Sequence, residues 1–269
     1  MIRRLTLLGV ALVALRLRAE EWRLVWADEF DHVGAPDASR WTYETGFVRN
    51  HEPQYYTRAR LENARVEADG LRIEARREPF EGAPYSSASL TTKGIKAWKY
   101  GRIEVCAKIP RGVGIWPAIW MLGENHDSAH WPQCGEIDIM EFVGYMPDTI
   151  HGNVHNPLRY DKSVASADMP AMGAMLHVER PSDAFHVYGV TWDSQKLEFT
   201  FDGKVYYTYA NPHTGSAAWP YDQPFYLILN VAVGGPWAGK KGIDPSIFPQ
   251  SMRVRYVRVY QKAGQVVLP

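Results

Sequence analysis

The sequence has only two cysteines, no net charge, no internal repeat and no low-complexity segment. Basic and acidic residues each number 30 and form no long run, so nothing indicates a nucleic-acid partner. Cys106 and Cys134 are too few for a disulfide framework, and no His/Cys spacing resembles a zinc site. One disulfide and two buried thiols are both compatible with the sequence, because geometry decides whether the two cysteines meet.

The chain also lacks an apolar run long enough to cross a membrane. An arginine pair precedes the apolar residues 5–15, which are too few to span a bilayer. Ala19 is the small residue of an imperfect cleavage site. We expect a signal peptide over residues 1–19 and one domain over residues 20–269. The location would then be secreted or periplasmic, without a membrane anchor after cleavage; retention as an anchored segment is the alternative.

Long helical periodicity is missing too, and alternation with a period of two replaces it. Residues 66–74 and 197–207 each place an Asp-Gly pair between alternating runs, a pattern typical of a β-hairpin. A weak helical stretch near residues 167–178 is interrupted by proline and glycine. Residues 156–183 are predicted to form a long surface excursion. Further strands are predicted over residues 102–109, 185–192, 225–233 and 254–260. Many short strands separated by turn residues predict an all-β fold, a β-sandwich or jelly roll, in one domain.

The acidic segment Gly-Glu-Ile-Asp-Ile-Met-Glu, residues 135–141, stands out from its apolar surroundings. In a strand, Glu136 and Asp138 share one face, and strict alternation would send Glu141 to the other. A β-bulge near Ile139 or Met140 would return Glu141 to the first face, and bulges are frequent beside active sites. Because buried carboxylates are costly unless paired or used, three acids on one face indicate a glycosidase with paired carboxylates.

An acidic strand face is also compatible with a solvated sheet surface or a calcium site. The neighbouring tryptophans favour the glycosidase hypothesis. Trp116, Trp120 and Trp131 lie just before the acids, and aromatic faces are natural platforms for sugar rings. A neutral polysaccharide also needs no electrostatic attraction, in keeping with the zero net charge.

Several separated segments of the chain, read in order, resemble glycoside hydrolase family 16, and most closely its laminarinase-like branch. The similarity covers roughly residues 22–261. It rests on Asn-His-Glu-Pro-Gln-Tyr-Tyr-Thr at 50–57, Tyr-Gly-Arg-Ile-Glu at 100–104, Gly-Ile-Trp-Pro-Ala-Ile-Trp-Met-Leu at 114–122, the acidic segment at 135–141, His-Gly-Asn-Val-His at 151–155, Phe-His-Val-Tyr at 185–188, Leu-Asn-Val-Ala-Val-Gly-Gly at 229–235 and Tyr-Val-Arg-Val-Tyr at 256–260. The resemblance implies a curved β-jelly roll whose concave face holds the substrate. The extra residue, Met140, matches the bulged active-site strand usual in laminarinases.

The resemblance also implies roles for individual residues. Glu136 would be the nucleophile and Glu141 the general acid/base of a retaining double displacement, with Asp138 between them. The implied substrate-binding residues are Asn50, Glu52, Trp116, Trp120, His155 and Asn230. Each has a structural alternative: core packing for the tryptophans, a turn for Asn50, loop support for Glu52, a structural histidine, and a satisfied core amide for Asn230.

The chain departs from the family pattern at two positions. Ser89 stands where many laminarinases carry an arginine, which removes a planar, donor-rich group from the negative subsites. Arg255 stands where the family often has an aspartate that binds a structural calcium, and a guanidinium cannot bind calcium. We therefore expect no cofactor and no catalytic metal, with the calcium site lost or altered. Asp28 and Glu29 are candidate remnants of that site.

The sequence thus predicts a secreted, retaining endo-β-1,3-glucan hydrolase, a monomer acting on a polysaccharide. A mixed-linkage β-glucanase, a galactan hydrolase and a transglycosylase are alternatives within the same family. A non-catalytic glucan-binding protein and an adhesive β-sandwich are alternatives of other classes. Binding relatives of the first kind have lost the catalytic acids, whereas this chain retains all three.

Overall fold

The computed structural model describes residues 21–161 and 172–263. Strands dominate these ranges, as the alternating pattern predicts. The strands are β1 Trp22–Asp28, β2 Thr42–Glu44, β3 Gln54–Tyr56, β4 Ala64–Glu67, β5 Gly70–Phe80, β6 Ala83–Ser87, β7 Ser89–Thr91, β8 Gly101–Lys108, β9 Ile115–Gly123, β10 Glu136–Glu141, β11 Thr149–His155, β12 Gly173–His177, β13 His186–Trp192, β14 Lys196–Phe201, β15 Lys204–Ala210, β16 Phe225–Val233 and β17 Gln250–Lys262. The short helices are α1 His126–Ala129, α2 Pro157–Tyr160 and α3 Gly235–Ala238, with a 3-10 turn at Pro245–Ile247.

Two sheets face each other across the core of the described chain. One has the order β12-β11-β10-β9-β16-β7-β2, and its neighbouring strands are all antiparallel. The other has the order β15-β14-β13-β8-β17-β5-β6-β3, with β1 paired to β17 and β4 to β5. Sequence neighbours are often separated by crossovers, which makes the sandwich a jelly roll. The predicted all-β class is confirmed.

The core lies between the inner faces of the two sheets. Every residue of β16 is buried, and alternate residues of the other strands point inward. Aromatic side chains account for much of this core, including Trp41, Trp192, Phe199 and Phe225. Burying one such side chain contributes about 1.5–3 kcal/mol from removal of apolar surface. A second, smaller apolar cluster lies on the outer face of β9 and β16, around Trp120 and Tyr226.

Most predicted elements are present, and one region is more regular than expected. The Asp-Gly hairpins are β4–β5 and β14–β15, both antiparallel. The predicted excursion over residues 156–183 contains α2 and the strand β12, which pairs with β11 and ends the sheet. Backbone hydrogen bonding to β11 therefore overrides the weak helical pattern of residues 173–177.

The predicted signal peptide, residues 1–19, lies outside the described residues. None of the helices in the described chain has the length and apolar character that a membrane span requires.

The two cysteines and the predicted calcium region now have defined surroundings. Cys106 and Cys134 are both buried free thiols. Arg255 stacks its guanidinium 3.9 Å from the centre of the Phe185 ring. The two candidate calcium ligands are engaged by protein donors. Asp28 accepts from the Phe30 N–H (3.0 Å) and the Trp41 indole N–H (2.8 Å), and Glu29 accepts from Arg258 at 2.8 and 2.9 Å.

Candidate active site

The outer face of the seven-stranded sheet is the floor of a cleft of about 680 Å³. Its lining comes from most strands of that sheet and from the loops beside it. Half-buried and buried polar groups alternate there with indole and phenol rings. The lining includes Arg49, Asn50, Glu52, Trp116, Trp120, Trp131, Glu136, Asp138, Glu141, His151, Asn153, His155, Tyr160, Asn230 and Trp237. The cleft therefore contains every site residue predicted from the sequence.

A β-bulge in β10 brings the three acids to the same face. Asp138 pairs with Trp120 of β9, but the next pair along is Met140 with Ile119, so Ile139 is the extra residue. Ile139 and Met140 both point into the core, which returns Glu141 to the cleft. The predicted bulge is confirmed.

Gly135 directly precedes the acid strand and has a backbone conformation that glycine tolerates best. Its φ is +75°, and a Cβ atom there would lie 2.9 Å from the Cγ of Pro220. A side chain at this position would disturb the turn that leads directly into Glu136.

Glu136 is half-buried and receives a hydrogen bond from an indole. The Trp131 Nε1–H donates to Glu136 Oε2 at 2.7 Å. This donor stabilises the charged form of the carboxyl group. The other oxygen, Oε1, lies 3.8 Å from His155 Nε2. The sequence predicted Trp131 only as an aromatic platform, and its hydrogen bond to Glu136 gives it a second role.

Asp138 is the most deeply buried of the three acids, with 1% of its surface exposed. Its Oδ2 lies 3.1 Å from His155 Nε2 but has no well-aligned hydrogen-bond partner among the described residues. Ligand atoms of Glu136, Asp138 and His155 lie within 4.8 Å of one another, which is close enough to hold a metal ion. An ion there would occupy the same carboxylate oxygens that face the cleft.

Glu141 is held by two donors from neighbouring strands. The Trp116 Nε1–H donates to Oε1 at 3.1 Å, and the Asn153 amide donates to Oε2 at 2.7 Å. Asn153 lies on β11, two residues before His155. Asn153 was not predicted from the sequence, although its alternation with His155 along a strand beside the acids is the signal that could have identified it.

Burial raises the pKa of all three carboxyl groups, and their mutual repulsion adds to the shift. The pKa of Glu136 is raised to about 8 by burial and then by the charge of Asp138. Burial, followed by the charge of Glu141, raises the pKa of Asp138 well above its usual range. Burial, followed by the charge of Glu136, also raises the pKa of Glu141. The three groups titrate as a coupled set, so each shift depends on the charge of its neighbours.

Two features decide which member of the pair Glu136 and Asp138 holds a shared proton: the depth at which each is buried and the hydrogen bond from Trp131. Asp138 is the costlier group to ionise, and Trp131 stabilises Glu136 as an anion. We therefore assign the proton of this pair to Asp138. That assignment removes the Asp138 charge, which is the second cause of the raised Glu136 pKa.

His155 is part of an aromatic group at the β11 side of the cleft. Its ring stacks on Tyr160, 6.0 Å between centroids with an angle of 12°, and Nδ1 is hydrogen-bonded to the Tyr160 hydroxyl. Trp131 lies 4.7 Å from the Tyr160 ring. Burial lowers the pKa of His155, so the ring is neutral at pH 7. Tyr160 was not predicted as a site residue. It lies on the short helix α2, which no pattern in the sequence links to the acid strand.

A hydrogen-bonded network supports the floor of the cleft beyond the acids. Glu52 accepts hydrogen bonds from Asn50 at 3.1 Å and Gln54 at 2.7 Å. Asn230 accepts from the Trp120 Nε1–H at 2.7 Å and donates to the Tyr56 hydroxyl at 3.0 Å. Glu52 and Asn230 are therefore buried and hydrogen-bonded, whereas Asn50 is exposed, and the substrate-binding roles of all three stay predictions.

The two predicted tryptophans differ in accessibility. Trp116 is half-buried and packs edge-on against Trp237, with centroids 5.2 Å apart. Trp120 is only 6% exposed, and the guanidinium of Arg49 lies over its ring at 4.7 Å. Trp116 thus keeps part of its surface in the cleft, while the face of Trp120 is covered.

Ser89 has a specific partner at the β2 side of the cleft. Its hydroxyl donates to Glu44 Oε2 at 2.6 Å, and Glu44 Oε1 accepts from Arg49 Nη2. The family's arginine is absent from position 89, where this chain has a serine. The guanidinium of Arg49, from another part of the chain, lies close to this position instead.

Comparison with known proteins agrees with this geometry. The family model described as glycosyl hydrolases family 16 matches residues 51–257. A β-glucanase of Rhodothermus marinus is 47% identical over 253 residues, covering 91% of this chain and 87% of that protein. The solved laminarinase of Rhodothermus marinus superimposes with a TM-score of 0.85 at 45% identity, covering 91% of this chain and 100% of that one. SCLam, a non-specific endo-β-1,3(4)-glucanase, gives a TM-score of 0.82 at 43% identity, covering 91% and 94%.

Carboxylates grouped in an open, tryptophan-lined cleft on a jelly roll are the features of a glycoside hydrolase. With the family model matching most of its length, the chain belongs to glycosyl hydrolase family 16. The resemblance inferred from its sequence segments, and the glycosidase class inferred from its acids, are both confirmed.

Proposed function

We propose that this protein is an endo-acting β-1,3-glucan hydrolase that cleaves its polysaccharide by double displacement with retention of configuration. The observation that carries the proposal is the bulged strand β10, which presents Glu136, Asp138 and Glu141 together in one cleft. The laminarinase and β-glucanase relatives support β-1,3-linked glucan as the substrate class.

In the first step, Glu141 acts as general acid and Glu136 as nucleophile. Burial raises the pKa of Glu141 and so favours the protonated form, which can donate a proton to the glycosidic oxygen as the bond to the anomeric carbon breaks. A carboxylate oxygen of Glu136 attacks that carbon and forms a glycosyl ester. The Trp116 and Asn153 donors orient the Glu141 carboxyl group for this transfer.

In the second step, Glu141 acts as general base. Now ionised, it takes a proton from a water molecule, whose oxygen attacks the anomeric carbon. The ester bond to Glu136 then breaks, and the carboxylate returns to its resting state. Two inversions at one carbon give overall retention.

Asp138 and Trp131 set the charge of the nucleophile. A protonated Asp138 adds no second negative charge beside Glu136, so Glu136 can stay ionised although it is buried. Trp131 donates to the same carboxylate and steadies its position.

Product analysis tests the substrate and the stereochemistry. The mature protein is incubated with laminarin, mixed-linkage glucan, agarose and carrageenan, and the first products are examined by NMR. We expect oligosaccharides from laminarin with the β-anomer formed first. No release from either glucan would refute the substrate assignment, and an α-anomer as first product would refute retention.

Two variants test the assigned roles. Glu136→Gln and Glu141→Gln should each lower kcat/KM for laminarin by about 10³-fold or more, because each removes a group that acts in the transition state. Glu198→Gln is a matched control, since Glu198 lies on β14 and pairs with Lys196. Near-normal turnover in either active-site variant would contradict its role.

A mixed-linkage β-glucanase is the second candidate. It is favoured by the similarity to SCLam, which is described as a non-specific endo-β-1,3(4)-glucanase. The mixed-linkage glucan in the same experiment separates the two. Secretion, a monomeric state and the absence of a cofactor remain predictions.

A further inference from the structure

Arg49 lies in the cleft in a geometry that the two-step mechanism does not use. It lines the cavity from the loop that follows β2, and 22% of its side chain is exposed. Its guanidinium covers the Trp120 ring at 4.7 Å, a cation–π distance. The aromatic floor of the cleft is therefore replaced at this point by a planar, charged group.

Two residues hold Arg49 in this position. Glu44 on β2 and Ser89 on β7 are direct cross-strand partners. Ser89 Oγ donates to Glu44 Oε2 at 2.6 Å, which leaves Oε1 for Arg49 Nη2. The guanidinium is thus fixed by an ion pair on one edge and a ring on one face, at little further entropic cost when a ligand binds.

The fixed guanidinium has unused hydrogen-bonding capacity. A guanidinium carries five N–H donors, and Glu44 is the one hydrogen-bond acceptor that Arg49 has among the described residues, while part of its side chain is open to the cleft. Glu44 already neutralises its charge, so the group suits the hydroxyls of a neutral sugar better than a sulfate or a carboxylate. Hydrogen bonds from a charged donor to a substrate group are strong and directional.

Sheet order gives the side of the cleft on which Arg49 acts. The acid strand β10 has β9, β16, β7 and β2 on one side and β11, with His155, on the other. Arg49 lies over β9 and is tied to β2, so it faces sugars on the side away from His155.

We propose that Arg49 is a specificity-determining residue, which uses its Glu44-anchored guanidinium to bind hydroxyl groups of a neutral glucan on the β2 side of the cleaved bond. Because its guanidinium covers the face of Trp120, the sugar would contact Arg49 and not that ring face. This inference rests on the proposed function, since it takes a β-glucan as the ligand.

Kinetics with oligosaccharides of increasing length test the proposal. Relative to wild type, Arg49→Ala should raise KM for laminarin and long β-1,3-oligosaccharides by about tenfold, while kcat changes by less than about twofold, because uniform binding is lost. Arg49→Lys should recover little, since it lacks the planar fork. Ser89→Ala should give an intermediate effect, and the exposed Arg111→Ala should behave as wild type.

End-labelled oligosaccharides and a binding measurement complete the test. Loss of one subsite should shift the bond that Arg49→Ala cleaves, whereas a purely structural defect would lower activity without moving it. Calorimetry with laminarihexaose should show weaker binding for Glu136→Gln/Arg49→Ala than for Glu136→Gln alone.

Unchanged KM, cleavage position and binding would overturn the proposal. Tighter binding would also overturn it, because Arg49 would then merely obstruct Trp120. Failure of wild type to cleave laminarin would instead refute the proposed function, and the binding arm would still report on Arg49.

Discussion

At the scale of single residues, the active site concentrates groups that are costly to bury. Glu136, Asp138 and Glu141 share a cleft wall, and burial raises the pKa of each. Trp131, Trp116 and Asn153 each donate to one of these carboxyl groups, which offsets part of the cost. The proposed mechanism needs one acid ionised and one protonated at the same pH, and these groups are placed for that task.

The raised pKa of Glu136 predicts how stability depends on pH. In the folded protein, the pair that Glu136 forms with Asp138 keeps a proton, up to about pH 8, that the unfolded chain releases near the ordinary Glu136 value of 4.5. Because the native state binds the extra proton, the contribution of this pair to wild-type stability falls as pH rises through the window from 4.5 to about 8.

Glu136→Gln removes one of the two ionisable groups of that pair. We expect this variant to gain stability relative to wild type as pH rises through the same window, by about 1–3 kcal/mol at the upper end. Chemical denaturation at several pH values measures the difference. A gap between the two proteins that stays constant with pH would contradict the coupling, and Glu198→Gln should show no such trend.

At the scale of elements, β10 decides the chemistry because one bulged residue reverses the facing of everything after it. The local pattern Glu-x-Asp-x-x-Glu was sufficient to predict this bulge, since a strand's alternation is a property of its own sequence. Arg49, Tyr160 and Trp237 could not be placed in this way. They approach the acids from loops and short helices that no periodicity links to β10.

The β10 bulge can be tested by shortening the strand by one residue. Removing Met140 leaves Asp138 and Glu141 two positions apart, so in a regular strand Glu141 still faces the cleft. We expect a folded protein, destabilised by about 2–5 kcal/mol through lost core packing, with measurable glucanase activity. Glu141→Gln, which we expect to be inactive, is the reference. A folded deletion variant as inactive as Glu141→Gln would show that carboxyl facing alone does not explain the role of the strand.

At the scale of the whole molecule, one sheet of the jelly roll carries the cleft and the other packs behind it. The cleft lies on the seven-stranded sheet, while the opposite sheet carries ion pairs and stacked guanidinium groups such as Arg258 with Glu29 and Arg255 over Phe185. Composition and alternation were enough to predict this class of fold. The pairing of distant strands, such as β9 with β16, depends on contacts that no local pattern records.

The hydrogen bonds that Asp28 and Glu29 already accept predict that calcium does not stabilise the protein. Asp28 and Glu29 already accept hydrogen bonds from Trp41 and Arg258, so their oxygens are engaged. We expect the same Tm, measured by calorimetry, in excess EDTA and in added calcium. A Tm that falls in EDTA and recovers with calcium would show that an ion binds there.

The acid strand has one further consequence, for thermal adaptation. Ile137, Ile139 and Met140 project from β10 into the core, directly behind the carboxyl groups. Close-packed interiors transmit small displacements, so repacking behind this strand would move the carboxyl groups to which we assign catalysis. Heat-tolerant versions of this enzyme should therefore be sought by substitution at outward-facing positions of the hairpin β14–β15, such as Val205 and Thr208, which are exposed.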